Sequence, residues 1–291
     1  MLGTLLWRIQ EAFSVLIGRK KTEVLKTSEN LKPRTISPEN YLNANPELKT
    51  FVESTSIEFC FSEFGESRVN AGGNNFEQKT RLDPSLSSLK KYFPNAKFTV
   101  YSDFDLQIEG VNLVKSVSPI LDKNHPRYLY RTADYFKFKS LTNSTSDFVC
   151  VVDSDMFIAA PEFYSLIYLT KIFGFCAPHN PRNLLKKDMT ISFDALKITD
   201  LSNGLGHSYN QSPMTLWKGN KIGFEYFEKC AEIMEKEPSR ASLVMWKAAQ
   251  SLGTSPYLLP AEWCVCAEDA GIGNEIMLHL GHQAVAEYYK V

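Results

Sequence analysis

The run Asp147 to Ile158, DFVCVVDSDMFI, constrains this chain more than any other stretch. From Phe148 to Val152 every residue is apolar, the pattern of a strand covered on both faces rather than one facing water. Asp153 and Asp155 follow at once, with only Ser154 between them. Carboxylates two apart, where a strand leaves its sheet, can both turn toward one hard divalent cation. In open α/β sheets ligands bind outside the carboxyl ends of the strands, so a metal-bound phosphate is expected here. The competing reading is a solvated loop in which two acids fall together by chance.

A chain of 291 residues holds one large α/β domain or two small ones. Its net charge of -1 supplies no field for polyanions, which argues against a nucleic-acid partner. Cys60, Cys150 and Cys176 lie in apolar runs, where a reduced thiol behaves as a small hydrophobe. Cys264 and Cys266 have CxC spacing without a second cysteine or histidine pair to complete a zinc site. Free thiols in a reducing compartment are expected, hence a cytoplasmic protein.

No segment reaches the roughly 18 apolar residues of a transmembrane helix. At the amino terminus Leu2, Leu5, Leu6, Ile9, Phe13 and Leu16 recur at helical spacing, and Arg19, Lys20 and Lys21 follow. Residues 2–19 therefore read either as an interfacial helix on a membrane surface or as a helix packed on the main domain. The polar stretch from Thr22 to Thr50, with Pro33, Pro38 and Pro46, reads as a spacer. The expected organisation is an amphipathic helix over 1–21, a spacer over 22–50 and one domain over 51–291.

Strand and helix signals alternate from residue 56. Ser56 to Phe64 and Lys97 to Ser102 read as strands, and Ile108 to Val114 as a shorter one. Asp83 as N-cap and Pro84 at the first helical position predict a helix to about Phe93. Tyr128 to Leu141 is a helix leading into the apolar run. Beyond it, Phe173 to Ala177 and Pro213 to Trp217 are strand-like, with weaker strand signals over 189–198. Lys221 to Lys236 is an amphipathic helix, and Ser239 is positioned to cap another through Leu252. Alternating elements with covered strands imply a single three-layer α/β/α domain with a mostly parallel, Rossmann-like sheet.

The strand ending Tyr101-Ser102-Asp103, the helix RTADYFKFKSL and the segment VVDSDMFI together resemble the GT-A fold of nucleotide-sugar glycosyltransferases. The likeness is to the group with a DxD metal site preceded by an SDxxR-type helix, as in capsule, lipopolysaccharide and mannosyl transferases. It covers about residues 56–160 well and the carboxyl third loosely. It implies Mn²⁺ or Mg²⁺ bridging the enzyme to the diphosphate of a UDP- or GDP-sugar, with a glycan or glycoconjugate as acceptor. Such a cation stabilises the charge of the departing nucleoside diphosphate without proton transfer.

By the same resemblance Asp155 coordinates the metal directly, and Asp153 reaches the ribose or binds the metal through water. Asp103 would meet the base; as a plain turn or N-cap residue it would do neither. Asp134 matches the acid that accepts from donor-sugar hydroxyls. Lys137 stands where an arginine is usual and loses its bidentate geometry; it or Arg131 would meet the diphosphate or sugar. An Asp134–Lys137 pair on a solvated helix face is the bland alternative.

Later in the chain, IMLHLGH (Ile276 to His282) resembles the segment whose histidine completes the metal shell; His279 is the candidate and His282 its competitor. YNQSPMTLW (Tyr209 to Trp217) resembles the family's FNSGVMLW strand, so Asn210 and Ser212 inherit a donor-binding role. LPAEWC (Leu259 to Cys264) resembles the late loop near the acceptor. An inverting transferase needs a carboxylate base, for which Glu262 is the candidate and Asp194 the next. A haloacid-dehalogenase-like phosphatase also uses DxD, but it wants Thr or Val where this chain has Phe157, and places the motif after its first strand. A GT-A domain that binds sugar nucleotide or glycan without turnover is the other rival.

Overall fold

The alternation of side chains along each strand explains why the central strands are apolar throughout. In β1 (Ile57–Glu63), Phe59 and Phe61 enter one core cluster and Cys60 the other. In β4 (Phe148–Val151) and its extension, Phe148, Cys150 and Val152 join the first cluster, while Val149 and Val151 join the second. Burying such a side chain contributes roughly 1.5–3 kcal/mol. A strand packed on both faces collects this from every residue, and so holds its end rigidly. The computed structural model describes residues 36–66, 82–125, 127–179, 209–266 and 274–279.

The remaining strands are β2 (Lys97–Ser102), β3 (Asn112–Lys115), β5 (Met156–Ile158), β6 (Phe175–Pro178), β7 (Met214–Trp217), β8 (Tyr257–Leu259), β9 (Val265–Cys266) and β10 (Met277–His279). With β1 and β4, five of these form the seven-stranded main sheet in the order β3-β2-β1-β4-β7-β6-β8. All its strands run parallel except β7, which is antiparallel to both β4 and β6. A small second sheet, β5-β10-β9, stands at the carboxyl end of β4.

Seven helices cover the main sheet among the described residues: α1 (Pro38–Ala44), α2 (Pro46–Ser54), α3 (Asp83–Tyr92), α4 (Tyr128–Asn143), α5 (Ser165–Phe173), α6 (Lys221–Lys236) and α7 (Ala241–Leu252). Val52, Leu86, Leu89, Leu166 and Ile167 place α2, α3 and α5 on one face. Phe138, Leu141, Tyr226, Phe227, Val244 and Met245 place α4, α6 and α7 on the other. The expected three-layer α/β domain with a mostly parallel sheet is what the chain forms.

Several local expectations change. Residues 36–50 of the stretch read as a spacer hold α1 and the start of α2, with Tyr41, Leu42 and Leu48 packed on the core. Their prolines start helices rather than extending the chain: Ser37 accepts from the Asn40 N–H, and Pro38 and Pro46 sit in the first turns. Leu82, not Asp83, precedes α3, because its carbonyl accepts the first helical hydrogen bond from Leu86 N–H. Arg240 rather than Ser239 precedes α7 for the same reason, with Val244 N–H donating to it. The strand expected from Phe173 starts at Phe175, because Phe173 ends α5 and Gly174, at φ 84°, turns the chain. The helix expected over 2–19 and the strand signals over 189–198 lie outside the described residues. No described helix is long and apolar enough to cross a membrane.

Glu58 is a buried acid of the main sheet, with several hydrogen-bond partners. It accepts from Thr99 Oγ1 and Ser144 Oγ, each at 2.6 Å, and Lys97 Nζ lies 3.0 Å away. Burial pushes its carboxyl up, but the hydrogen bonds from Ser144, Thr99 and Lys97 outweigh that and hold it below the ordinary value of 4.5. A depressed folded-state value means stability that is present above the unfolded value and lost as pH falls through the folded one. Glu58→Ala is expected to lower unfolding free energy in urea by about 2–4 kcal/mol at pH 7. The difference should shrink as the titration is repeated below pH 4.5; a difference that grows with acid would contradict this account.

Candidate metal centre

Three elements converge where β4 ends. The chain leaves β4 through Val152, and Asp153, Ser154 and Asp155 form the turn into β5. β10 returns antiparallel to β5 in a register that sets His279 opposite Met156. His279 Nε2 thereby lies 3.2 Å from Asp155 Oδ1. One ligand atom each from Asp153, Asp155 and His279 fall within 4.8 Å of one another. With bonds of about 2.1 Å, ligands opposite each other on one ion are about 4.2 Å apart, so shifts below about 1 Å close this trio on a divalent cation. Two carboxylates and an imidazole suit a hard to borderline ion. All three side chains are only partly exposed, at 14%, 20% and 24% respectively.

Backbone bonds hold the turn in place. Ser212, fully buried, accepts from the Asp153 N–H at 2.9 Å, and its hydroxyl lies 3.3 Å from the Val151 carbonyl to which it donates. The Met156 N–H donates to the Asp153 carbonyl at 3.1 Å. Ser212 reaches this point because β7 runs against β4, so the residues entering β7 lie beside those leaving β4. Its place in the sequence motif suggested contact with donor; the structure shows it setting the Asp153 backbone.

On α4 the expected trio is buried, not solvated: Arg131, Asp134 and Lys137 are 7%, 6% and 7% exposed. Arg131 Nη1 donates to Asp134 Oδ2 at 2.7 Å. Lys137 Nζ sits 2.7 Å from Asp153 Oδ1 and 3.7 Å from Asp134 Oδ1, joining the helix to the metal turn. Gln211, its amide turned to suit both neighbours, donates to Asp134 Oδ1 and accepts from Lys137 Nζ, each at 3.0 Å. Burial pulls the Lys137 ammonium down, yet Asp153 and Asp134 together outweigh it and raise its pKa. Burial raises Asp134, against the pull of Lys137 and Arg131.

A cleft of about 220 Å³ opens over this set, lined by Asp134, Lys137, Asp153, Asp155, Gln211 and His279 together with Glu63 and Tyr130. Gln211 and Glu63 were not singled out from the sequence. Gln211 lies between the two motif residues that were, and Glu63 is the last residue of β1, the neighbour of β4. Either position at the carboxyl edge of the sheet was signal enough.

The other expected residues do not line this cleft. Asp103 is exposed beyond β2 and accepts from the Gly65 N–H at 2.7 Å, bracing the turn after β1, where Gly65 has φ 75°. Asn210 donates to Cys264 Sγ at 3.0 Å and accepts from the Gln211 N–H. Glu262, in the single 3-10 turn Ala261–Trp263, accepts from Asn274 Nδ2 at 3.1 Å and does not line the 220 Å³ cleft. Its backbone carbonyl accepts from Ile276 N–H, which helps to seat β10. Asp194 and His282 lie outside the described residues. Cys60, Cys150, Cys176, Cys230 and Cys264 are buried and form no disulfide.

No protein-family model matches the chain, and no curated protein matches it significantly. The mostly parallel α/β sheet with an Asp-Asp-His cluster at its carboxyl edge fits a GT-A-like fold.

Lys137→Met leaves Asp134 and Asp153 without their shared cation. The variant should lose about 3 kcal/mol of unfolding free energy. Adding Asp134→Asn should then cost less than it does in the wild type, with a coupling of at least about 1 kcal/mol in a double-mutant cycle. Strict additivity in urea unfolding would mean that these groups do not act as one network.

Proposed function

We propose that this protein is a metal-dependent glycosyltransferase that moves a sugar from a nucleoside diphosphate sugar to a hydroxyl of a glycan or glycoconjugate. The observation that carries the reading is the Asp153, Asp155 and His279 cluster at the carboxyl edge of the sheet, beside a buried Asp134–Lys137 pair. Bound there, Mn²⁺ or Mg²⁺ would supply charge stabilisation to the departing nucleoside diphosphate.

The chain's own groups supply the rest. Asp153 and Asp155 bring two negative charges against a cation, and His279 adds a neutral nitrogen. Lys137 keeps a positive charge at the cleft wall, where it screens Asp153 and meets the diphosphate as a point charge. Asp134, fixed by Arg131 and Gln211, offers its carboxylate to donor-sugar hydroxyls. Glu262 remains the candidate base for an inverting reaction, in a turn whose neighbour Trp263 is packed in the core.

The test is hydrolysis of a panel of UDP- and GDP-sugars with and without Mn²⁺. Asp155→Asn should reduce turnover by at least about 100-fold while leaving the urea midpoint unchanged. Binding of nucleoside diphosphate without any turnover, with or without acceptors, would favour a sugar-nucleotide binder instead. A second variant addresses the shell: His279→Ala should weaken Mn²⁺ and nucleoside diphosphate together by about 10–100-fold. Calorimetric titration that finds both affinities unchanged would leave two carboxylates as the only protein ligands.

A further inference from the structure

Beside the metal cleft lies a second one of about 230 Å³, between α4 and the start of α7. The two share Tyr130, Asp134 and Gln211 as lining residues, so they adjoin. The second cleft is lined by Arg127, Arg131 and Arg240, against Asp134 as its acid. Among the described residues no carboxylate lies within ion-pair distance of Arg127 or Arg240.

Two further features give this cleft the character of an anion site. Ala241 and Ser242, which line it, open the 12-residue helix α7, and no side chain caps that end. Its first N–H groups and the positive end of the helix dipole thus face the same space as the guanidiniums. The second feature is Arg131. Its side chain is only 9% exposed, its Nη1 is taken by Asp134, and its buried Nε–H has no hydrogen-bond acceptor. A buried donor left unmet is destabilising, so this guanidinium, which lines the cleft, has hydrogen-bonding capacity to spare, and its bonds to an oxyanion are of the strong, charge-assisted kind.

We propose that this cleft binds an oxyanion, a phosphate or carboxylate, separate from the diphosphate at the metal. The oxyanion site stands on the cleft's own residues; what delivers it rests on the transferase reading. In that reading the group belongs to the acceptor or to the transferred sugar, which makes the substrate pair anionic at a point beyond the diphosphate. The planar guanidiniums favour a ligand that takes two parallel hydrogen bonds.

Inorganic phosphate is the probe, titrated by calorimetry into the full chain in the presence of a chelator, so that no metal contributes. Saturable binding is expected, weakened at least about tenfold in the Arg127→Gln, Arg240→Gln double variant, whose thermal unfolding should match the wild type. Absent binding, or equal binding by the variant, overturns the proposal. The titration is then repeated with Mn²⁺ and saturating nucleoside diphosphate. Retained phosphate binding supports a separate site, whereas mutual exclusion would show that the arginines serve the diphosphate itself and would overturn it. If neither Mn²⁺ nor nucleoside diphosphate binds, the transferase reading fails while the metal-free result still decides the oxyanion site. Under the transferase reading, phosphorylated or carboxylated acceptors should lose rate in the double variant and neutral ones should not.

Discussion

An ammonium group removed from water costs several kcal/mol unless opposite charges meet it, and in this molecule Lys137 is met from two elements at once. Asp134 belongs to the same helix, α4, while Asp153 belongs to the turn after β4. Moving either element would strand a buried charge. The pairing therefore fixes how far the helix stands from the strand end, and with it the width of the cleft. Gln211 closes the circuit from the segment leading into β7, so that three parts of the chain share one hydrogen-bonded set. A ligand entering here meets groups already oriented, which lowers the ordering cost of binding.

His279 depends on a different constraint. It comes from a three-residue strand, β10, held between β5 and β9. Side chains alternate across a strand, so a slip of one residue would turn His279 away from Asp155 and bring a neighbour in its place. Leu278 and Met277 prevent this, because both are buried and their exposure would cost apolar contacts. The Asp-Asp-His cluster that could hold a metal is thus kept in register by two side chains outside it.

Much of this was readable from residue order. β2 and α6 have the bounds that their periodicity implied, and the double-sided burial of β4 follows from an uncharged run. Asp153 and Asp155 were also picked out, from their place directly after an apolar run, and His279 from the resemblance of IMLHLGH to a late metal-binding segment. What escaped was tertiary. The solvated-face alternative for Asp134 and Lys137 fails because α6 and the sheet cover α4 on more than one side, which no helical period on its own reveals. The prolines of 38–46 looked like breaks, yet Ser37 and the fixed φ of proline make them helix starts. Glu262 and Asp103 were chosen for their carboxylates, but their described partners are Asn274 and the Gly65 backbone.

The reversed direction of β7 has a consequence for how such a chain can diversify. β6 leaves the sheet at the same edge where β7 enters it, and a bridge between His179 and Tyr209 pins the two exits together. The chain between those positions therefore departs from and returns to one spot at the edge of the sheet. The described ladders β4-β7 and β6-β7 are closed by residues on either side of that spot, so their register does not depend on how many residues lie between, and lengthening a closed loop costs only about 0.6 kcal/mol per doubling. Residues can be gained or lost between those two points at little cost to the described strand pairings, which are the frame that holds the Asp153 turn in place.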